Sequence, residues 1–353
     1  MTFDRFRPDH DGAANADQSA GARPRRGRVL AAVALSLALA AGVAACGGSS
    51  SGSSDIALVA YSTPEGAYTD DLIPGFEATS QGDGANFTTS FGPSGDQSRA
   101  VEAGQKADVV HFSLEPDMQR LVDAKLVADS WNQNQYKGIV EDSVVVFVVR
   151  KGNPDNIQTW DDVVQHEVIT PNPFQSGGAK WNLMAAYGAK INEGASPQEA
   201  QDFLAKVLGA TSVQDASARD ALNTFINGKG DVLLSYENDA IAAQQAGEDV
   251  DYVIPDDTIL IQTPIATTVG ASQQAQDFVD YLYTDDAQQL WADNGYRPVV
   301  QSVFDQNKDK FPTPPGLFTI DDLGGWSKIN SEFFDPEGSI VQGIEQNLGV
   351  ATS

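Results

Sequence analysis

Past residue 55 the chain alternates between short apolar runs and longer stretches in which apolar residues recur every three or four positions. The first kind predicts strands and the second helices. Ile56–Tyr61 (IALVAY) predicts a buried strand, Tyr68–Thr79 a helix, Phe87–Phe91 a second strand, and Ser94–Gly104 a helix after a Gly-Pro-Ser-Gly turn. Ala107–Phe112 predicts a strand and Pro116–Ala124 a helix. Val144–Val149 (VVVFVV) is the most strand-like run, closed by a turn at Arg150–Pro154. Trp160–Val164 predicts a short helix, Glu167–Thr170 a strand, Pro197–Leu208 and Ala218–Ile226 helices, Asp231–Tyr236 a strand and Glu237–Ala246 a helix. Tyr252–Pro255 reads as a strand edge, Ala266–Val269 as extended, and Ser272–Tyr283 and Asp285–Asn294 as helices. Strand alternating with helix means α/β, here with mostly parallel sheets. The alternation restarts near 140 and again near 250, which predicts two α/β lobes with the second inserted between the halves of the first.

The first 54 residues break this pattern. Arg23, Arg25, Arg26 and Arg28 precede an apolar, Ala-rich stretch, Val29–Ala45, that is short for a membrane span. It ends in Val43-Ala44-Ala45-Cys46, which resembles a bacterial lipobox, where the cysteine becomes the lipidated first residue of the mature protein. Residues 1–45 are therefore expected to be a lipoprotein signal peptide, and 46–54 (CGGSSSGSS) a flexible tether. An uncleaved N-terminal anchor is the alternative. The Arg25-Arg26 pair leaves Sec and twin-arginine export both open.

Composition narrows the chemistry. Of 353 residues, 22 are Lys or Arg and 49 Asp or Glu, a net charge of −27. Residues 1–45 hold six Arg and four Asp, so the remainder carries 16 basic and 45 acidic residues, −29. Such a surface repels nucleic acid and anionic lipid. Cys46 is the only cysteine, which rules out an intrachain disulfide, and His10, His111 and His166 lack metal-ligand spacing. Neither a metal nor another cofactor is expected.

Against this acidity stands Ile169–Trp181, ITPNPFQSGGAKW. An extended apolar lead-in meets two prolines, and Ser176-Gly177-Gly178 opens a helix, Ala179–Lys190. A helix start carries unpaired N–H groups and partial positive charge, and glycines let a ligand reach that backbone. Ser94-Gly95 and Ser217-Ala218 repeat the arrangement before two further helices. Any one serine there could be a simple N-cap. Three such starts after strands or turns make an anion site at the carboxyl ends of the strands.

Here the chain resembles a known family, the periplasmic sulfate- and thiosulfate-binding proteins of ABC importers. The resemblance runs from about Ala57 to Ile329 and is carried by VAYSTPEGAY, GPSGDQSRAV, ADVVHFSLEPD, VVFVVRKGNP, ITPNPFQSGGAKWN, ARDALNTFINGKGDVLLSYENDA, Tyr296-Arg297-Pro298 and LFTIDDLGGW. It implies a type II periplasmic-binding-protein-like α/β fold, two lobes joined by a two-stranded hinge over a ligand cleft. Lobe 1 would be 55–140 plus 251–353 and lobe 2 141–250. It also implies a dehydrated oxyanion held by the backbone N–H groups of Ser62, Ser94, Gly177, Gly178 and Ala218, with the Ser176 hydroxyl as a side-chain donor. Tyr236 stands where the family has a tryptophan indole, and Ser62 where it has an aspartate.

Burying an unpaired dianion would cost tens of kcal/mol. Seven hydrogen bonds to a charged acceptor, at about 1.5–3 kcal/mol each, recover on the order of 10–20 kcal/mol, and helix termini add about 0.3–2 kcal/mol each. Donors alone suit a fully ionised anion such as sulfate, because a protonated phosphate needs an acceptor. The expected function is thus a non-enzymatic, monomeric, lipid-anchored binder on the outer face of the cell membrane that delivers sulfate or thiosulfate to an ABC permease. Molybdate, tungstate or phosphate is the alternative ligand, and Tyr236 is the residue that keeps it open.

Glu65, Asp96 and Asp220 neighbour the donors. Each is either a proton acceptor for the ligand or an exposed first-turn acid complementing a helix dipole. Arg219 either backs the site or lies on the surface. Tyr296, Arg297, Trp326, His111 and His166 read as packing or structural residues. Ser176 as a nucleophile lacks a histidine partner nearby in sequence, and Gln-Ser-Gly-Gly is not a hydrolase elbow.

Overall fold

A computed structural model describes residues 55–349. The expected signal peptide, Cys46 and the tether lie outside them. Eleven strands run β1 (Asp55–Tyr61), β2 (Asn86–Gly92), β3 (Val109–His111), β4 (Ile139–Arg150), β5 (Val168–Pro171), β6 (Thr211–Asp215), β7 (Val232–Tyr236), β8 (Val250–Val253), β9 (Asp257–Thr267), β10 (Arg297–Pro298) and β11 (Gly316–Phe318). The α-helices are α1 (Ile73–Glu77), α2 (Ser94–Glu102), α3 (Glu115–Asp123), α4 (Trp160–Val163), α5 (Gly177–Asn192), α6 (Pro197–Ala210), α7 (Ala218–Ile226), α8 (Glu237–Gln245), α9 (Gln273–Tyr281), α10 (Asp285–Asp293), α11 (Gln301–Asn307), α12 (Gly325–Phe333) and α13 (Ile340–Leu348).

The main strand order is β2-β1-β3-β9-β4-β7-β5-β6. The two longest strands, β4 and β9, sit in its middle and pair antiparallel from Ile139↔Pro264 to Val144↔Leu260. Beyond that stretch β4 pairs with β7 through Val145–Val149, and β9 pairs with β3 through Ile265–Thr267. Each long strand thus crosses from one lobe to the other, giving a two-lobed α/β fold on a two-stranded connection. The expected mostly parallel sheet is corrected to a mixed one. Pairings within β1–β2–β3 and β5–β6–β7 are parallel, but β4 is antiparallel to β7, β8, β9 and β10.

Period-two alternation explains why apolar runs, not mixed ones, make the inner strands. In β4, Val145, Phe147 and Val149 pack with α5 and α6 residues such as Trp181 and Phe203, while Val144, Val146 and Val148 pack on the other face with Phe225 of α7 and Ala240 of α8. In β1, Leu58 and Ala60 pack with Tyr68, Phe76, Phe278 and Trp291, and Val59 faces Phe112, Met118 and Leu121. Helix α5 is apolar on nearly all sides and buried along most of its length, as a core helix must be. Capping boxes at Thr159/Asp162 and Ser196/Glu199 start α4 and α6. Phe318, Trp326, Phe333 and Val341 join the α5–α6 core, so the C-terminal segment returns to the half of the molecule that holds α5.

Candidate functional site

Six strands deliver chain to one place. Tyr61, Gly92 and His111 end β1, β2 and β3, which run parallel, and Pro171, Asp215 and Tyr236 end β5, β6 and β7, which also run parallel. The residues at or just after these ends line one cavity of about 210 Å³ of atom-free space, part of it open to solvent. All seven residues singled out from the sequence, Ser62, Ser94, Ser176, Gly177, Gly178, Ala218 and Tyr236, line it, together with Tyr61, Thr63, Pro93 and Ser113. No cationic or acidic side chain is among them.

Three helix N-termini, those of α2, α5 and α7, open here, but their serines differ. Ser217 is an ordinary N-cap: its hydroxyl accepts from Asp220 N–H at 3.1 Å and donates to the Asp220 carboxylate at 2.7 Å. The Ser94 hydroxyl is engaged by the fold, accepting from Ser113 N–H at 3.0 Å and donating to Asp117 at 2.6 Å. That leaves its N–H, not its hydroxyl, as the group available to the cavity. Ser176 precedes α5 without capping it: its hydroxyl oxygen accepts from no N–H of the helix start, and the residue is 4% exposed. The N–H groups of Gly177 and Gly178 lie in the first turn, where no intrahelical acceptor exists. Across the cavity, Gly95 N–H donates to Gln175 C=O at 3.3 Å.

Arg219 does not reach the cavity. Its guanidinium donates to the carbonyls of Ser62 (3.2 Å) and Thr63 (3.1 Å) and lies 3.5 Å from the Glu65 carboxylate, so it polarises the Ser62–Thr63 peptide and ties α7 to the turn after β1. The acids considered as proton acceptors are engaged elsewhere: Asp96 with Arg99, Glu65 with Arg219 and Asp220 with Ser217.

Two groups escaped the sequence reading. The Ser113 hydroxyl lies 2.6 Å from the Tyr236 hydroxyl, and both residues are 1% exposed. Burial holds the Tyr236 phenol well above its ordinary range, so it stays uncharged. Tyr61 donates to the buried Glu141 at 2.7 Å, and Thr263 of β9 donates to the same oxygen. Burial pushes the Glu141 carboxyl up to about 8. Beside it His111, bonded to Tyr68 (2.8 Å) and Thr263 (3.0 Å), is pushed down to about 3 by burial and is a neutral structural residue. Tyr296 packs among the aromatic side chains of the β1–β3 half, Arg297 forms a buried ion pair with Glu237 at 2.6 Å, and Trp326 stands edge-on to Trp181.

A model of the family described as bacterial extracellular solute-binding protein matches residues 56–297. The chain belongs to that family. Among the relatives of this solute-binding protein, the sulfate-binding protein of Synechococcus elongatus is 38% identical over 88% of this chain and 94% of its own. The thiosulfate-binding protein of Escherichia coli is 34% identical over 73% and 81%. The solved structure titled the sulfate-binding protein SubI from Mycobacterium tuberculosis is 45% identical, covers 80% of this chain and 99% of its own, and superposes with a TM-score of 0.77. The resemblance to sulfate- and thiosulfate-binding proteins of ABC importers, and the two-lobed type II fold that it implies, are thereby borne out. As a member of this family the solute-binding protein acts outside the cytoplasm, and among the described residues no helix is long and apolar enough to cross a membrane.

Proposed function

We propose that the chain is a lipid-anchored solute-binding protein that captures sulfate or thiosulfate in this cavity and delivers it to an ABC permease. The observation that carries the reading is the convergence of three helix starts on a cavity lined by backbone and hydroxyl donors, with no charged side chain among the lining residues. Such a site rewards a dianion that can shed its water and accept from every side. The relatives' names supply the chemical class, a tetrahedral sulfur oxyanion.

In this reading the donors are the N–H groups of Ser62, Ser94, Gly177, Gly178 and Ala218 and the hydroxyls of Ser176 and Tyr236. The lobes, one built on β1–β3 and the other on β5–β7, close about β4 and β9, and the permease recognises the closed, liganded form. Cys46 carries the lipid and holds the monomer at the outer face of the cell membrane. No bond is made or broken. A calorimetric competition series of sulfate, thiosulfate, molybdate and phosphate on the mature chain tests this. Tight sulfate or thiosulfate binding is expected; failure of both to bind would overturn it. Tyr236, in place of an indole, favours a second reading in which molybdate or tungstate is preferred.

A further inference from the structure

The cavity holds one pair of groups unlike the rest. Ser113 follows β3 and Tyr236 ends β7, strands on opposite sides of the central β9–β4 pair, and their hydroxyls meet at 2.6 Å. Either oxygen can be the donor. Ser113 is held from three sides: its N–H donates to Ser94 Oγ at 3.0 Å, its carbonyl accepts from Trp181 Nε1 at 2.8 Å, and its hydroxyl meets the phenol.

Two hydroxyls bonded to each other carry two protons, and one of these bridges them. The other is left over, with lone pairs beside it. If Ser113 donates to Tyr236, the phenolic proton is free; if Tyr236 donates to Ser113, the serine proton is free. In both states the couple shows a ligand one donor and one acceptor. A lone hydroxyl such as Ser176 can also turn to accept, but its own proton then has no partner in a buried site, which costs about 1–3 kcal/mol, or about 5- to 150-fold in affinity. The couple escapes that cost because the displaced proton moves to the neighbouring oxygen.

We infer that Ser113 and Tyr236 act together as a specificity-determining couple that lets the site take a singly protonated tetrahedral dianion, hydrogen phosphate or hydrogen arsenate, beside the fully ionised ones. The inference rests on the oxyanion site proposed above. The ligand's O–H donates to one oxygen of the couple while the other oxygen's proton goes to the ligand.

The test is calorimetric competition on the wild-type mature chain and on Tyr236→Phe and Ser113→Ala, at one alkaline pH at which phosphate is chiefly the dianion. Wild type is expected to bind sulfate and also phosphate and arsenate. Ser113→Ala leaves the Tyr236 hydroxyl free to donate, so sulfate weakens by less than about threefold while phosphate weakens by about 5- to 150-fold; Tyr236→Phe also removes a proposed sulfate donor, so it weakens both ligands, and phosphate more than sulfate. A merely structural role would make Ser113→Ala weaken both ligands together, and that outcome overturns the inference. So does wild type that binds sulfate but neither phosphate nor arsenate, a result needing no variant to fold. If sulfate itself does not bind, the proposed oxyanion site has failed instead.

Discussion

Gly177→Ala isolates closure of the cleft from stability of the fold. A Cβ built on Gly177 falls 2.5 Å from Ser113 Oγ, 2.7 Å from Ser113 Cβ and 2.8 Å from Leu114 Cγ, whereas ordinary contact begins near 3.4 Å. The neighbours would have to retreat by nearly an ångström. Ser113 cannot do so cheaply, since its N–H, carbonyl and hydroxyl are all bonded, and Leu114 is 1% exposed. The clash lies between the start of α5 and the turn after β3, surfaces that would separate in the proposed opening of the lobes. Overpacking of this kind costs about 1–3 kcal/mol. Borne by the closed form alone, it weakens sulfate about 5- to 150-fold. Calorimetry of the mature variant measures the affinity, and a thermal melt without ligand measures the fold. The ligand-free melting temperature is expected to move by less than about 2 °C, the shift of a change below about 1 kcal/mol. Unchanged affinity would refute a rigid contact. A ligand-free melting temperature that falls in step with affinity would show the contact to be permanent core and refute closure as the affected step.

Ser176→Ala removes a hydroxyl with no cap duty and is expected to weaken sulfate by about 1.5–3 kcal/mol in calorimetry, with the ligand-free melt unchanged. Glu141→Gln tests the buried acid: the folded carboxyl titrates at about 8 against an ordinary 4.5, so its contribution is fully present below about pH 4.5 and is lost as pH rises to about 8. That loss amounts to about 4–5 kcal/mol, and the variant should flatten the fall in unfolding free energy across this window. Asp142, pushed up to about 7, keeps a slope of its own, and His111 acts in the opposite sense below about pH 6.5. A wild-type profile level from pH 5 to 8 would show that Glu141 is ionised in the fold. Cys46→Ser should move the protein from the membrane fraction to the soluble fraction; persistence in the membrane would indicate an uncleaved anchor.

What the sequence made legible was local. The lead-in to α5, the three helix starts and the VVVFVV strand each announce themselves within a dozen residues, and the structure places them as expected. Strand β9 did not. Its DTILIQTPIAT interrupts apolar residues with Gln262, Thr263 and Pro264, and Pro argues against a central strand, so only its end read as extended. Yet Pro264 falls where β4 pairs with β9 at the bulged Ile139–Glu141 stretch, and Thr263 donates to Glu141. Thr263, one of the residues that interrupt the pattern, is a donor to the buried Glu141 carboxyl. Likewise β6 (TSVQD) lies at the end of the sheet, and its polar residues hide its periodicity.

Glu65, Asp96 and Asp220 are the carboxylates the sequence displays near the donors, and so its candidate proton acceptors. Folding engages each of them: Asp96 with Arg99, Glu65 with Arg219, Asp220 with Ser217. The acceptor capacity that remains is in Ser113 and Tyr236, 123 residues apart. Tyr236 was visible as a departure from an expected indole, which can only donate. Ser113, in HFSLEPD, looks like any serine before a helix. The substitution of indole by phenol therefore acquires its chemical meaning only when the fold brings a second hydroxyl to it. A phenol alone would replace one donor by another; a phenol bonded to a serine replaces a donor by a donor and an acceptor.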